Sequence, residues 1–215
     1  MFRGKLKCSS DVQKTASARL LVEMEMLDCN PTEFVPNPSL LARMVNRKRE
    51  KERPNQPKED DLDCEISISY LNIPEDFQLA DIKIEGLDGR TVARHIIYAS
   101  PTQIGLLRRA ETLFMDGIFK SVKNPFRQLF GVHAFVRCGE AVKQVPLVTV
   151  LMTRATKVDY NAVWKELLQK AFGGEAVREA VLDFEIAAWI SLRENLPNIQ
   201  IHGCLFHYSQ AIFEE

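Results

Sequence analysis

The sequence predicts an α/β protein in which a mixed β-sheet is flanked by helices. Three strand-like segments separated by short turns, at residues 111–121, 126–138 and 145–153, indicate consecutive antiparallel hairpins. Helix-like and strand-like segments then alternate to the end of the chain, which is typical of crossover units that add parallel strands to a sheet. The predicted order is therefore three strands followed by helix, strand, helix, strand and helix.

Length, composition and charge limit the class of protein. The chain has 215 residues, of which 46% are hydrophobic and 27% charged, as in ordinary globular proteins with one core of moderate size. The formal net charge of -1 gives no support to nucleic-acid binding, so such support must come from local patches. The five cysteines are widely spaced and the chain starts without a secretory signal, which predicts free or metal-bound thiols in a reducing compartment. No apolar run approaches the roughly 20 residues that cross a bilayer, so we expect no membrane partner.

Residues 1–60 are expected to form an irregular N-terminal region with one basic helix. Residues 17–27 could form a strand or a short helix, because their apolar residues fit neither period cleanly. The helix predicted from Asn37 is rich in arginine and lysine, and its candidate contacts to DNA phosphates are Arg47, Lys48 and Arg49. A nuclear import signal and an ordinary solvated helix face are the open alternatives. A linker rich in proline and acidic residues ends this region near residue 60.

Residues 61–100 are interpreted as a connecting region that packs on the core. Residues 64–70 alternate like a strand, residues 73–86 do so less clearly, and Asp88-Gly89 marks a turn. Residues 92–100 fit a strand or a short helix, and His95 within them is interpreted as a structural histidine. The core domain follows over residues 101–215. Besides the three strands given above, its predicted helices are at 102–110, 158–172, near 175–178, at 184–195 and from about Tyr208. Its other predicted strands are at 179–183 and 199–205.

This order places two acidic residues at one edge of the predicted sheet. Asp116 lies inside the first strand of the core domain and Asp183 at the end of the fourth. If these strands are neighbours, the two carboxylates meet, and hard cations such as Mg²⁺ bind one or two carboxylates together with substrate phosphate. Each acid also has a simpler interpretation, because Asp116-Gly117 could mark a turn or bulge and Asp183 could cap a helix.

Four motifs in the same order carry a family resemblance. The segments MDGIFKSV, FRQLFGVHAF, LDFEIAAW and IHGCLFHYSQA together resemble the MULE (Mutator-like element) transposase domain over roughly residues 95–215. The resemblance implies a ribonuclease H-like fold in a cut-and-paste DNA transposase of the DDE type. Such enzymes hold two Mg²⁺ (or Mn²⁺) ions with an Asp, Asp, Glu triad for DNA strand cleavage and transfer. Asp116 matches the first acid of this triad and Asp183 the second.

The sequence departs from the family pattern at two points. Ile118 stands where the family has threonine beside the first acid. The third acid of the family, a glutamate, lies well beyond the C-x2-H element, and Glu214 and Glu215 come too early to match it. Glu185 is expected to face away from Asp183 and to favour the N-terminus of the following helix. The domain is therefore expected to be incomplete at its C-terminus and, as this chain, inactive in catalysis.

Cys204 and His207 form a C-x2-H element near the second acid. Structural zinc sites need four ligands, so spacing alone favours a buried cysteine with a nearby histidine, and zinc is weakly supported. The resemblance makes the pair an accessory motif that positions DNA or the active site. It also implies an upstream FLYWCH-type zinc finger, of which Cys8 within FRGKLKC would be a remnant.

The predicted function is that of a transposase-derived protein with DNA as its partner and the nucleus as its location. A cytoplasmic location and a homo-oligomer stay open. The alternative function is a non-catalytic, domesticated module for binding DNA or protein, and a further alternative is an independent nuclease of the same fold.

Overall fold

The chain is described by a computed structural model that divides it into two compact units, residues 1–56 with 65–74 and residues 57–64 with 75–215. Residue 211 is described by its backbone alone. The residues that the structure describes are 16–27, 37–52, 58, 61–66, 73–119 and 121–213. Predictions that involve Cys8, Cys29, Glu214 or Glu215 lie outside them, as does the part of the predicted strand 64–70 that covers residues 67–70. Residues 64–66 of that predicted strand are described and are not in a strand.

The first unit contains a pair of helices, α1 (Ala18–Leu27) and α2 (Pro38–Glu52). The segment over 17–27, which fitted a strand or a helix, is thus helical, and the basic helix predicted from Asn37 is confirmed. Leu21 of α1 and Leu41 of α2 are buried in one small apolar cluster between the helices. This unit therefore has a core of its own.

The second unit is built on a seven-stranded mixed sheet. Its elements in chain order are β1 (Gln78–Glu85), β2 (Thr91–Tyr98), α3 (Pro101–Leu107), β3 (Thr112–Ile118), β4 (Gln128–Cys138), β5 (Ala141–Met152), α4 (Lys157–Lys170), β6 (Glu179–Leu182), α5 (Ile186–Asn195), β7 (Gln200–Gly203) and α6 (Leu205–Phe213). The strand order is β1-β2-β5-β4-β3-β6-β7. The β3–β6 and β6–β7 pairs are parallel and the other neighbouring pairs are antiparallel. The predicted α/β class with a mixed sheet flanked by helices is confirmed.

Several predicted boundaries differ from the structure for local reasons. Strand β5 begins at Ala141 because a two-residue turn containing Gly139, whose φ is 61°, joins it directly to β4. The short helix predicted near 175–178 is wrong. Gly174 has a φ of 78°, and its carbonyl accepts a hydrogen bond from the Val177 N–H at 3.2 Å, which closes a turn instead. Helix α6 begins at Leu205, ahead of its predicted start.

The β1–β2 hairpin forms the outer edge of the sheet beyond β5, and two buried polar contacts stabilise it. Arg94 donates to both carboxylate oxygens of Asp81, at 2.8 and 2.6 Å. His95 Nε2 lies 3.1 Å from Asp159 Oδ1 at the start of α4, and both side chains are fully buried. Burial alone would raise the pKa of Asp159, but hydrogen bonds from His95, Thr156 and other neighbours hold it well below its usual range. His95 therefore has a structural partner in the core, as its interpretation requires.

One face of the central strands is buried in the apolar core that they share with α4 and α5. Leu113 and Met115 of β3, Leu182 of β6 and Trp164 of α4 belong to this core. Successive side chains of a strand point to opposite faces, so the residues between them lie on the other face, here called the open face. On β3 the buried and partly exposed positions alternate accordingly up to Asp116. The side chain of Asp116 thus belongs to the open face.

Among the described residues, no helix combines the length and apolar character needed to cross a membrane. The free thiols among the described residues are those of Cys64, Cys138 and Cys204.

Candidate functional site

Asp116 lies on β3, and Asp183 directly follows β6, the adjacent parallel strand. Met115 of β3 pairs with Leu182 of β6, and each acid is the next residue along its strand direction. Neighbouring strands are separated by about 4.8 Å, so the two residues lie next to each other near the carboxyl ends of β3 and β6. The condition on which the predicted acid pair depended, that the two strands are neighbours, is met.

The two acids are positioned by different local structures. Asp116 is held within β3, which continues to Ile118 and pairs with β4 on its other side. Asp183 begins the turn between β6 and α5, where its carbonyl accepts a hydrogen bond from the Trp189 indole. Its Oδ1 also accepts a hydrogen bond from the Glu185 N–H at 3.4 Å. Glu185 holds the N-cap position of α5, so Asp183 is not the plain helix cap of the simpler interpretation.

The C-x2-H element lies beside this acid pair. The Cys204 N–H donates to the Leu182 carbonyl at 2.7 Å, which fixes the start of α6 at the end of β6. His207, in the first turn of α6, places Nε2 at 3.7 Å from Asp116 Oδ1. The exposed fractions are 29% for the His207 side chain and 47% for that of Asp116, so solvent reaches both. The sequence predicted two separate elements, and the structure brings them together.

The electrostatic environment of Asp183 opposes its ionisation. Burial raises the pKa of this carboxyl above its usual value, and the negative charge of Asp116 acts in the same direction. The hydrogen bond from the Glu185 N–H and the nearby His207 lower it, without offsetting the rise. A cation placed between the two acids would relieve this repulsion.

A cleft of about 520 Å³ opens on this side of the sheet. Its lining includes Phe114, Asp116, His133, Thr149, Phe206 and His207. Gly131 of β4 pairs directly with Asp116, and the His133 ring folds over it, 2.6 Å from where a Cβ atom would stand. The missing side chain at Gly131 therefore makes room for the His133 ring beside Asp116. The sequence assigned no role to His133, and nothing in its spacing marks it out.

On the buried face, a polar network lies behind the acids, and the sequence did not predict it. Gln128 Nε2 donates to the Tyr160 hydroxyl at 2.9 Å, and this hydroxyl donates to Glu185 Oε2 at 2.8 Å. Glu185 stands at the N-cap position of α5, where its side chain makes no hydrogen bond to the cap, and its favourable effect on the helix N-terminus stays a prediction. The Glu185 carboxylate instead accepts a hydrogen bond from Tyr160 of α4, on the face of the sheet away from the cleft. The glutamine of the QL motif and the glutamate of the DFE motif were the signals that could have indicated this network.

The basic helix presents its three candidate residues differently. Arg47 is exposed, and Lys48 lies 3.8 Å from Glu52, one turn further along α2. Arg49 is only 8% exposed and donates from Nη1 to the Ala16 carbonyl at 2.7 Å. Because this guanidinium is part of the helix pair, Arg49 is removed from the candidate DNA-contacting face.

The donor set at the acid pair consists of oxygen atoms with one imidazole nearby. Within the described residues, no group of three or more His, Cys, Asp and Glu side chains converges to hold a metal ion. Two carboxylates still fit a hard cation that takes its remaining ligands from water and a substrate phosphate. The same chemistry does not fit structural zinc, which needs four protein ligands.

The sequence matches no protein-family model. No curated protein shows significant similarity to it.

The pKa of Asp183 yields a stability prediction for the Asp183→Asn variant. A carboxyl whose pKa is raised by folding loses stabilising free energy as pH rises through its folded pKa, so the ionised Asp183 destabilises the fold at neutral pH. Asparagine keeps the acceptor oxygen for the Glu185 N–H without the charge. We expect a higher Tm for this variant at neutral pH, with about 2–4 °C for each kcal/mol gained.

Thermal unfolding followed by circular dichroism from about pH 4 to neutral pH measures this effect. The gain should become smaller towards the low end, as the wild-type carboxyl becomes protonated. Asp88→Asn, in the exposed turn between β1 and β2, is the matched control and should show no gain. A Tm for Asp183→Asn that is lower at neutral pH, or raised equally at all pH values, would contradict an environment that disfavours the ionised Asp183 carboxylate.

Proposed function

We propose that residues 101–215 are a partial transposase domain of the ribonuclease H-like type, derived from a metal-dependent enzyme of DNA strand cleavage and transfer. The observation that carries this proposal is the placement of Asp116 and Asp183. They come from two separate motifs, and each directly follows one residue of the register pair Met115–Leu182 on the neighbouring parallel strands β3 and β6. Asp116 also lines the open cleft. The resemblance to MULE transposases, stated from the sequence, assigns these same two residues to the acidic triad.

The arrangement of the sheet supports the ribonuclease H-like part of the proposal. Strands β3, β4 and β5 form consecutive antiparallel pairs, and β6 and β7 then add in parallel on the free side of β3. This is the order of three antiparallel strands and two crossover strands that the resemblance implies. The β1–β2 hairpin extends the sheet beyond β5, at the edge far from the acids.

Asp116 and Asp183 would hold Mg²⁺ or Mn²⁺ through their carboxylate oxygens. When bound, such ions activate an attacking oxygen and stabilise the leaving oxygen of a phosphodiester. The chain itself supplies the negative charge and the rigid strand positions that fix the acids. His207 Nε2 lies 3.7 Å from Asp116 Oδ1, so this imidazole borders the same site.

A non-catalytic module that binds DNA is the second candidate function. The absence of a third converging ligand among the described residues favours it, because the triad implied by the resemblance includes a glutamate. In this version the acid pair is retained without strand cleavage, and the exposed basic side of α2 supplies contacts to phosphates. The two candidates differ in whether a cation bound at the acids serves chemistry or only structure.

The metal role predicts that Mn²⁺ binds to the wild-type chain and that Asp183→Asn weakens this binding by about tenfold or more, since it removes one of two charged ligands. Isothermal titration calorimetry measures the affinity, and Asp88→Asn is again the matched control. Equal affinity in the wild type and Asp183→Asn would contradict the metal role. So would nicking of plasmid DNA that depends on Mn²⁺ and survives in Asp183→Asn.

The basic helix predicts salt-sensitive binding to duplex DNA. Neutralising Arg47 and Lys48 together to glutamine should weaken binding and reduce the slope of log K against log salt by about 2, because two phosphate contacts are lost. Fluorescence anisotropy at several salt concentrations measures the slope. Arg19→Gln is the control, since Arg19 is an exposed arginine of the same unit that lies on α1, outside the basic helix. An unchanged slope in the double variant would reject α2 as the DNA-contacting helix.

A further inference from the structure

The buried polar network behind the acids connects three elements of the second unit. Gln128 begins β4, Tyr160 lies in the first turn of α4, and Glu185 precedes α5. Gln128 and Tyr160 are fully buried. The glutamine amide donates to the tyrosine oxygen, and the tyrosine hydroxyl has two acceptors in reach, Glu185 Oε2 at 2.8 Å and Gln128 Oε1 at 3.2 Å. The hydroxyl has one proton, and Glu185 Oε2 is the nearer acceptor.

A glycine makes room for this network next to the first acid. A Cβ atom at Gly117 would stand 2.2 Å from Gln128 Nε2, so any side chain there would displace the amide. Gly117 is also the residue that follows Asp116. Asp116 and Gly117 therefore act on opposite faces of β3. The Asp116 side chain lies on the open face, and the missing side chain of Gly117 leaves room for Gln128 on the buried face.

The network thus reaches the residues beside both acids. On β3 it occupies the space left by Gly117, and after β6 it ends on Glu185, two residues beyond Asp183. We propose that Gln128 and Tyr160 are positioning residues for the acid pair. Acting through Glu185, they fix the turn that carries Asp183 and so hold its carboxylate beside Asp116. This inference rests on the proposed metal-binding role of that pair.

Energetics favour a specific role over simple core filling. Buried polar groups must be satisfied, and apolar residues of similar volume would fill the same space at equal or lower free energy. Burial raises the pKa of Glu185 and the charge of Asp183 adds to this, whereas the bonds from Tyr160 and Gln128 lower it. The two hydrogen-bond donors therefore offset the cost of keeping a second carboxylate so close to Asp183.

Tyr160→Phe tests the proposal because it removes only the hydroxyl. The Trp189 indole N–H, bonded to the Asp183 carbonyl, reports on the turn through hydrogen exchange measured by NMR. We expect this exchange to be about fivefold faster in Tyr160→Phe, because the hydrogen bond that connects the hydroxyl to Glu185 and the turn is lost. Mn²⁺ affinity should fall by about tenfold, as for residues that orient metal ligands.

Ser191→Ala is the matched control for Tyr160→Phe. Ser191 is buried in α5 and its hydroxyl donates to Asn161 Oδ1 of α4 at 2.7 Å, so the control also loses one buried hydrogen bond between the same helices. It should lower Tm without changing the indole exchange relative to the remaining core. Equal exchange rates in Tyr160→Phe and Ser191→Ala, each corrected for its loss of Tm, would overturn the proposal.

A pair of substitutions at Glu185 separates positioning from direct metal binding. Glu185→Gln keeps an acceptor oxygen for Tyr160 and should retain the slow indole exchange, whereas Glu185→Ala should reproduce Tyr160→Phe. If both variants speed the exchange equally, the network does not act through this acceptor and the proposal fails. If the wild-type chain binds no Mn²⁺, the proposed function fails, and the exchange rates still decide whether the network fixes the turn.

Discussion

The parallel pairing of β3 with β6 is the constraint on which the rest of the site depends. Side chains alternate along a strand, so a shift of one residue in this pairing would move Asp183 to the opposite face from Asp116. The pairing requires a long crossover, and β4, β5 and α4 supply it between the two strands. Buried residues on both strands, Met115 and Leu182, fix the register through the core. The position of the acids is thus a consequence of apolar packing.

The two faces of the sheet carry different groups around these acids. The open face carries Asp116, the cleft and His207, and solvent reaches it. The buried face carries the network that ends on Glu185. Burial, with a smaller contribution from the charge of Asp116, raises the pKa of Asp183, so the fold tolerates an unfavourable charge at this site. Such local costs are typical of functional sites, where stability is lost in exchange for a prepared geometry.

The sequence predicted the hairpin strands, the crossover units and the meeting of Asp116 with Asp183, because each depends on local periodicity and on the order of elements. The sequence left β2 ambiguous between a strand and a helix, because Arg94 and His95 interrupt its apolar pattern. Their partners, Asp81 and Asp159, lie on other elements of the fold and cannot be identified from local sequence. The polar role of Tyr160 was missed for the same reason, because its position on α4 follows the apolar spacing of core residues. The burial of Arg49 likewise depends on a contact to Ala16 across the helix pair.

Paramagnetic relaxation by Mn²⁺ tests the central claim most directly, because it shows where a cation binds. In ¹⁵N-labelled wild-type protein, amide signals of residues near Asp116 and Asp183 should broaden first and together, since both strands contribute ligands to one site. Asp183→Asn should remove this broadening at both positions, including the one on β3. Broadening confined to other acidic surfaces, or retained near Asp116 in the variant, would contradict a shared cation site built by the β3–β6 pair.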